Sequence, residues 1–184
     1  MAVMFTRRFE PARHARAVAV GTLLAVASLA SGAQADGALE ACADAASLQQ
    51  AVLRLNELRR HADAPCAGAA GMQALAWEAR LATSAQAQAA DLALHDRLSH
   101  LDARQRGLGA RLRSAGYAAV GAGENLAAGQ SGFDDTLQAW LASPSHCANL
   151  MQPEFRDVGL ACVQRRGSRY ERFWVAHLGA PLRP

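Results

Sequence analysis

The chain has 184 residues, 51% of them hydrophobic and 19% charged, which is enough for one domain with a real core. All 19 basic residues are Arg, which excludes a catalytic or Schiff-base lysine. The formal charge of +3 belongs to the N-terminus: residues 1–35 hold four Arg and one Glu, the remainder holds fifteen basic and fifteen acidic residues, and the basic footprint of a nucleic-acid or anionic-membrane binder is missing.

Arg7, Arg8, Arg13 and Arg16 precede an apolar run from Ala17 to Ala30, and Ala33-Gln34-Ala35 follows as an A-x-A cleavage pattern. The pattern predicts a secretory signal peptide over 1–35, cut after Ala35. The run is shorter than the ~20 apolar residues that span a bilayer, so no membrane span is expected after cleavage. Residues 36–45 read as a loose lead-in pinned by Cys42.

Leu48, Val52, Leu55 and Leu58 repeat at helical spacing and predict a helix over 46–61. A Pro- and Gly-bearing loop from His61 follows. Trp77, Leu81, Ala85, Ala89 and Leu92 predict a second helix over 77–95, Ala-rich enough to pack closely. A third, shorter helix fits 104–115. Tyr117 to Gly129 is crowded with glycine and reads as loop plus a short strand. A helix begins at Asp134 or Asp135 and runs through Trp140. Ser143-Pro-Ser-His opens another short helix, with Ser145 as its N-cap. Two strands, 158–164 and 170–178, are joined by an Arg-rich turn containing Gly167. Helices first and strands late predict a layered α+β domain, with the strand pair between helices.

Four cysteines in an exported chain predict two disulfides, and no close C-x2-4-C pair exists for structural zinc. The first helix would hold Cys42 and Cys66 ~24 Å apart, whereas a disulfide needs Cα atoms within ~7 Å. Two connectivities therefore stay open, Cys66–Cys147 with Cys42–Cys162, or Cys42–Cys147 with Cys66–Cys162.

Residues able to carry chemistry are few. No G-x-S-x-G elbow and no H-E-x-x-H helix occurs. His95 and His100 are five apart, about 140° around a helix, and could not face one metal there. His61 and His95 read as solvated helix residues, and His177 as a hydrogen-bonded strand residue in the core. Paired cysteines leave no thiol nucleophile. Glu124 is the one acid in an apolar, Gly-rich stretch, VGAGENLAAG, and a carboxylate there requires a partner.

In order, Ser99-His100, Gly123-Glu124-Asn125-Leu126-Ala127, Trp140-x-x-Ser143-Pro-x-His146-x-x-Asn149-Leu150-Met151, Pro153-x-Phe155 and Val158-Gly159 resemble the CAP (SCP/PR-1) domain family, most closely its bacterial secreted branch. The resemblance runs from about Leu48 to Gly179 and assigns 46–184 to the domain. It implies an α-β-α sandwich with helices around a small antiparallel sheet. It also implies a central cleft, with His100 as first histidine, Glu124 as first acid and His146 as second histidine, lined by Asn125 and Ser143. Ser143 stands where the family's second acid is found, so the four-residue set is incomplete. The resemblance favours Cys66–Cys147 with Cys42–Cys162.

Two imidazoles and a carboxylate, His100, His146 and Glu124, would suit Zn²⁺ with an open position, and Zn²⁺ or Ca²⁺ is the cofactor expected there. They would equally suit acid–base work, with Glu124 as candidate catalytic residue. In the plainer alternative Glu124 hydrogen-bonds the two imidazoles and locks the core. Three functions follow from the resemblance: an exported periplasmic or extracellular module binding a lipid, a sterol-like molecule or a cell-envelope partner; a metal-assisted hydrolase acting on peptide or cell-envelope material; or a disulfide-stapled structural or interaction protein.

Overall fold

The computed structural model describes residues 37–61 and 72–182; the signal segment and Cys66 lie outside them. In chain order the elements are β1 (Leu39–Ala41), α1 (Ala45–Arg60), β2 (Ala76–Trp77), α2 (Ala79–His95), α3 (Leu108–Ser114), β3 (Ala119–Ala128), α4 (Phe133–Leu141), α5 (Pro144–Leu150), β4 (Asp157–Arg165) and β5 (Arg172–Pro181). One sheet runs in the order β1-β4-β5-β3, antiparallel throughout, and short β2 adds to β4 in parallel.

Side-chain alternation on the strands separates two layers. Leu160 and Cys162 on β4, with Trp174, Ala176 and Leu178 on β5, face α1, α4 and α5. Ala161, Val163, Phe173 and Val175 face α2. The α-β-α sandwich expected from the resemblance is thus the observed fold. Helix α2 lies directly on the β4 backbone, because a Cβ at Gly159 would run into the main chain of Leu81 and Ala82. The Ala-rich face of α2, with Ala85, Ala89 and Ala93 at 0% exposure, permits that approach.

Several expectations are corrected. The lead-in is a strand: Leu39, Glu40 and Ala41 pair with Arg165, Gln164 and Val163, and the Cys42–Cys162 disulfide closes it, with Cα atoms 5.2 Å apart. Cys147 is buried and not free, but its expected partner Cys66 is outside the described residues. The stretch 117–129 is dominated by a ten-residue strand. Gly123 is there for close approach, since a Cβ on it would stand 2.9 Å from Phe155 Cε2 and 3.1 Å from Asn149 Cγ, and pairing with β5 outweighs the low strand propensity of glycine. Helix α3 begins only at Leu108, because Asp102 Oδ1 accepts the backbone N–H groups of Arg104 and Arg106 at 2.9 Å each and holds that segment as a turn. The N-cap of α5 is Ser143 rather than Ser145; Pro144, lacking an N–H, fills the first helical position.

Arg59 is fully buried, and among the described residues no carboxylate pairs with it. Its guanidinium donates to the carbonyls of Gln73, Leu150, Gln152 and Phe155 at 2.6–3.3 Å. It thereby fastens α1 to the chain leaving α5, and so fixes where α5 stands against β3.

Candidate functional site

Alternation along β3 turns Gly123, Asn125 and Ala127 toward the α1/α4/α5 layer and Glu124 and Leu126 toward the α2/α3 layer. Glu124 stands opposite His177 in the β3–β5 ladder, so both polar side chains enter the same buried space under α3.

There Glu124 accepts four hydrogen bonds. Oε1 receives His100 Nδ1 at 2.7 Å and Arg111 Nη2 at 3.1 Å. Oε2 receives Arg111 Nη1 at 2.7 Å and His177 Nε2 at 2.8 Å. Arg111 Nη2 also donates to the His100 carbonyl at 2.9 Å, fixing the loop that carries His100. Burial pushes the Glu124 carboxyl up, but the hydrogen bonds and charges of His177 and Arg111 outweigh it and hold the pKa at about 2. The His177 imidazole is held below its usual value by burial, against the pull of Glu124. A carboxylate only accepts, so the pairing places a proton on His100 Nδ1 and on His177 Nε2.

His100 differs from the other members: its side chain is 64% exposed. With Nδ1 tied to Glu124, its Nε2 lone pair faces outward. His146, half-buried at the start of α5, is near enough to feel the His100 charge; burial first, and that charge second, hold its pKa below the usual value. Asn125, at 0% exposure, positions α5: its Nδ2 donates to the His146 carbonyl at 2.9 Å, and its Oδ1 accepts Asn149 Nδ2 at 3.0 Å. Asn149 Nδ2 also reaches the Glu124 carbonyl at 3.2 Å. Ser143 caps α5, and its hydroxyl lies 3.4 Å from Ser145 Oγ.

Of the residues expected in the cleft, His100 and Glu124 bond directly, Asn125 ties β3 to the His146 backbone, and Ser143 stays at the helix cap. His61 and His95 are exposed, and His177 is a hydrogen-bonded core residue. The imidazole that shares Glu124 with His100 is therefore His177, not His146. Arg111 was not anticipated. Its signal is the stripe of Leu108, Arg111 and Leu112 on α3 with Ala115 at its C-cap: a charge inside an apolar face implies a buried counter-charge, and Glu124 is the matching acid.

The set His100, His146 and Glu124 does not fit a metal ion in this arrangement. The four bonds at Glu124 occupy its lone-pair directions, and ligation would strip charge compensation from buried Arg111. Two imidazoles alone fall short of the three protein ligands of an open zinc site and offer Ca²⁺ no oxygen. Among the described residues no group of three or more His, Cys, Asp or Glu is placed to hold a metal.

Comparisons with known proteins agree with this architecture. The curated "Uncharacterized protein YkwD" of Bacillus subtilis (strain 168) is 28% identical over 94 residues, 51% of this chain and 37% of that protein. The crystal structure of an extracellular protein containing a SCP domain from Bacillus anthracis str. Ames is 27% identical with a TM-score of 0.59, over 71% of this chain and 39% of that one. An outer surface protein from Borrelia burgdorferi shares the fold at 18% identity with a TM-score of 0.66, over 79% of this chain and 99% of that one. The chain thus spans under half the length of the two Bacillus proteins. The model of "CAP: Cysteine-rich secretory protein family" matches residues 52–178, which include every residue of the site, and the chain belongs to that family.

Proposed function

We propose that this CAP-domain protein is an exported binding module that recognises a lipid, sterol-like or cell-envelope ligand through a polar group held between the His100 and His146 imidazoles. The observation that carries this reading is the saturation of Glu124. Its four hydrogen bonds make it a fixed support, and they leave His100 Nε2 as the solvent-facing group of that cluster with an open valence. A support that hands one oriented imidazole to solvent suits recognition, and among the described residues the His100 ring is bonded to Glu124 and to no hydroxyl or thiol. Export is supported by the signal-like N-terminus, the Cys42–Cys162 disulfide, and neighbours described as extracellular or outer-surface proteins.

A second reading, hydrolysis of peptide or envelope material, draws on the same pair. A carboxylate that fixes the tautomer of an exposed histidine is also the arrangement of a general base. Here His100 Nε2 would take a proton from water, Glu124 would stabilise the imidazolium, and no metal is required.

The test is mass spectrometry of material co-purifying with the oxidised protein lacking residues 1–35, beside His100→Ala and His146→Ala. A bound molecule present in wild type and lost from both variants supports the binding module. An empty wild type that cleaves envelope peptides or cell-wall fragments, with activity lost in His100→Ala, supports the hydrolase.

A further inference from the structure

One end of the sandwich gathers charged and apolar side chains that the cleft does not use. The turn between β4 and β5, with the strand ends beside it, bears Arg165, Arg166, Arg169 and Arg172, and it is fastened to the C-terminus of α2. Arg165 Nη1 donates to the carbonyls of Ala93 at 3.2 Å and Leu94 at 2.9 Å, and the Arg169 N–H donates to Asp96 Oδ2 at 2.7 Å. Strand β1 reaches the same place, because Leu39 stands opposite Arg165 in the β1–β4 ladder. These links bring three exposed leucines to this end: Leu39 at 41%, Leu94 at 56% and Leu98 at 46% exposure. A leucine exposed singly is ordinary; several beside exposed Arg166 and Arg169 make a mixed apolar and basic surface. The chain beyond residue 35 is balanced in total charge, but its charges are unevenly spread. This end holds five Arg, Arg97 included, against Asp91, Asp96 and Glu171, while the other described residues hold nine Arg and ten acids. Of those five only Arg97 has an ion-pair partner among the described residues, Asp91 at 3.5 Å.

We propose that this end of the domain docks on the surface of an anionic lipid bilayer, with the Arg166 and Arg169 guanidiniums at the phosphates and the Leu94 and Leu98 side chains at the headgroup–acyl boundary. Unpaired Arg alone would suit any polyanion. Leucines in the same patch gain only where an apolar layer lies beneath the phosphates, which is the layering of a bilayer. The chain supplies a second reason. Its described part begins at Gly37, where an added Cβ would stand 4.0 Å from Arg165 Nε, and the preceding residues carry the apolar run from Ala17 to Ala30. The signal peptide expected there would bring this same end to the bilayer during export. Docking uses neither the His100 nor the His146 imidazole, so it stands or falls apart from the reading of the cleft.

The test is cosedimentation of the oxidised protein lacking residues 1–35 with vesicles of phosphatidylglycerol and phosphatidylcholine in equal parts, beside vesicles of phosphatidylcholine alone. The expected partition coefficient is about tenfold or more higher on the anionic vesicles, and it should collapse in ~1 M NaCl, where the Debye length is ~3 Å. Arg166→Gln with Arg169→Gln should lower it roughly tenfold, and Leu94→Ser with Leu98→Ser should lower it by roughly the same factor. Arg60→Gln with Arg113→Gln removes the same charge from exposed positions on α1 and α3 and should leave it within about twofold of wild type. All these side chains are exposed, so each variant should keep the wild-type melting point. His100→Ala should bind as wild type does, which separates this surface from the cleft. Equal binding to both kinds of vesicle, binding to neither, or an equal loss in the Arg60 and Arg113 variant would overturn the proposal. Soluble polyphosphate bound as tightly as the vesicles, with no effect of the two leucine changes, would assign the surface to a free polyanion and overturn it as well.

Discussion

Glu124 and His177 stand opposite one another on β3 and β5, and their side chains meet at 2.8 Å inside the sandwich. That one register relationship organises the site. It draws the carboxylate under α3, where Arg111 can clamp both its oxygens, and from there a single hydrogen bond reaches out to His100. The polar centre is built from the core outward, and only its last member meets solvent.

Removing Glu124 should therefore cost more than a surface change. Glu124→Ala leaves the Arg111 guanidinium buried without its counter-charge and His177 without an acceptor. The expected loss is about 3–5 kcal/mol, read as a shift in urea midpoint at unchanged slope. A midpoint equal to wild type would refute the support role assigned to this residue.

Acid should weaken the fold in two stages. His177 and His146 titrate below the usual 6.5 when folded, so the unfolded chain binds more protons as pH falls below 6.5, and stability drops. Glu124 is lowered from 4.5 to about 2. Its contribution, on the order of 3 kcal/mol, is complete above pH 4.5 and is lost between there and about 2. Denaturant midpoints measured from pH 7.5 down to 3 should fall through both windows. A profile flat below pH 5 would contradict the depressed carboxylate, and Glu124→Gln should shrink the lower stage, leaving the part that comes from Asp44, Glu78 and Asp102, whose carboxyls are also held below their usual values.

Gly159→Ala should destabilise by about 1–3 kcal/mol or more, because the added methyl meets the backbone of α2 and not a movable side chain. Gly132→Ala is the control, since nothing stands within 4 Å of the position and its φ of −151° suits any residue. Thermal melts should separate the two; equal melting points would refute the close approach of α2 to β4.

Arg59→Met should lose about 2–4 kcal/mol, since the carbonyls of Leu150, Gln152 and Phe155 are left in a buried site without their donor. Hydrogen exchange should rise over residues 148–156, which lead from α5 to β4. Unchanged exchange there would show that α5 is held by other contacts.

Reduction of Cys42–Cys162, which closes a separation of 120 residues, should cost about 4–5 kcal/mol through the freedom returned to the unfolded chain. The double variant Cys42→Ser, Cys162→Ser should show that loss without reductant, and reductant, which also opens the bond of Cys147, should cost more than the double variant does. A melting point unmoved in the double variant would contradict this.

Much of the fold was legible because it follows local periods. The 3.6-residue stripes of Leu48, Val52 and Leu55 and of Leu81, Ala85, Ala89 and Leu92 locate α1 and α2 within two residues. Of the strand at 119–128 only a short piece was legible, because glycine lowers strand propensity locally while the reason for Gly123, the approach of Phe155 and Asn149, lies elsewhere in the chain. Lead-in strand β1 was missed for a similar reason: it is made by pairing to β4.

The sequence by itself determined the class of the domain and the order of its helices and late strands, because apolar periodicity is a local property; it was the motif resemblance that singled out His100, Glu124 and His146 as cleft residues. Only the tertiary structure decided who partners whom. Sheet register set His177, not His146, against Glu124; the packing of α3 delivered Arg111 to the same carboxylate; burial of that network left His100 facing out. Those choices depend on residues 13 to 53 positions from Glu124, and no local pattern encodes which of them meet.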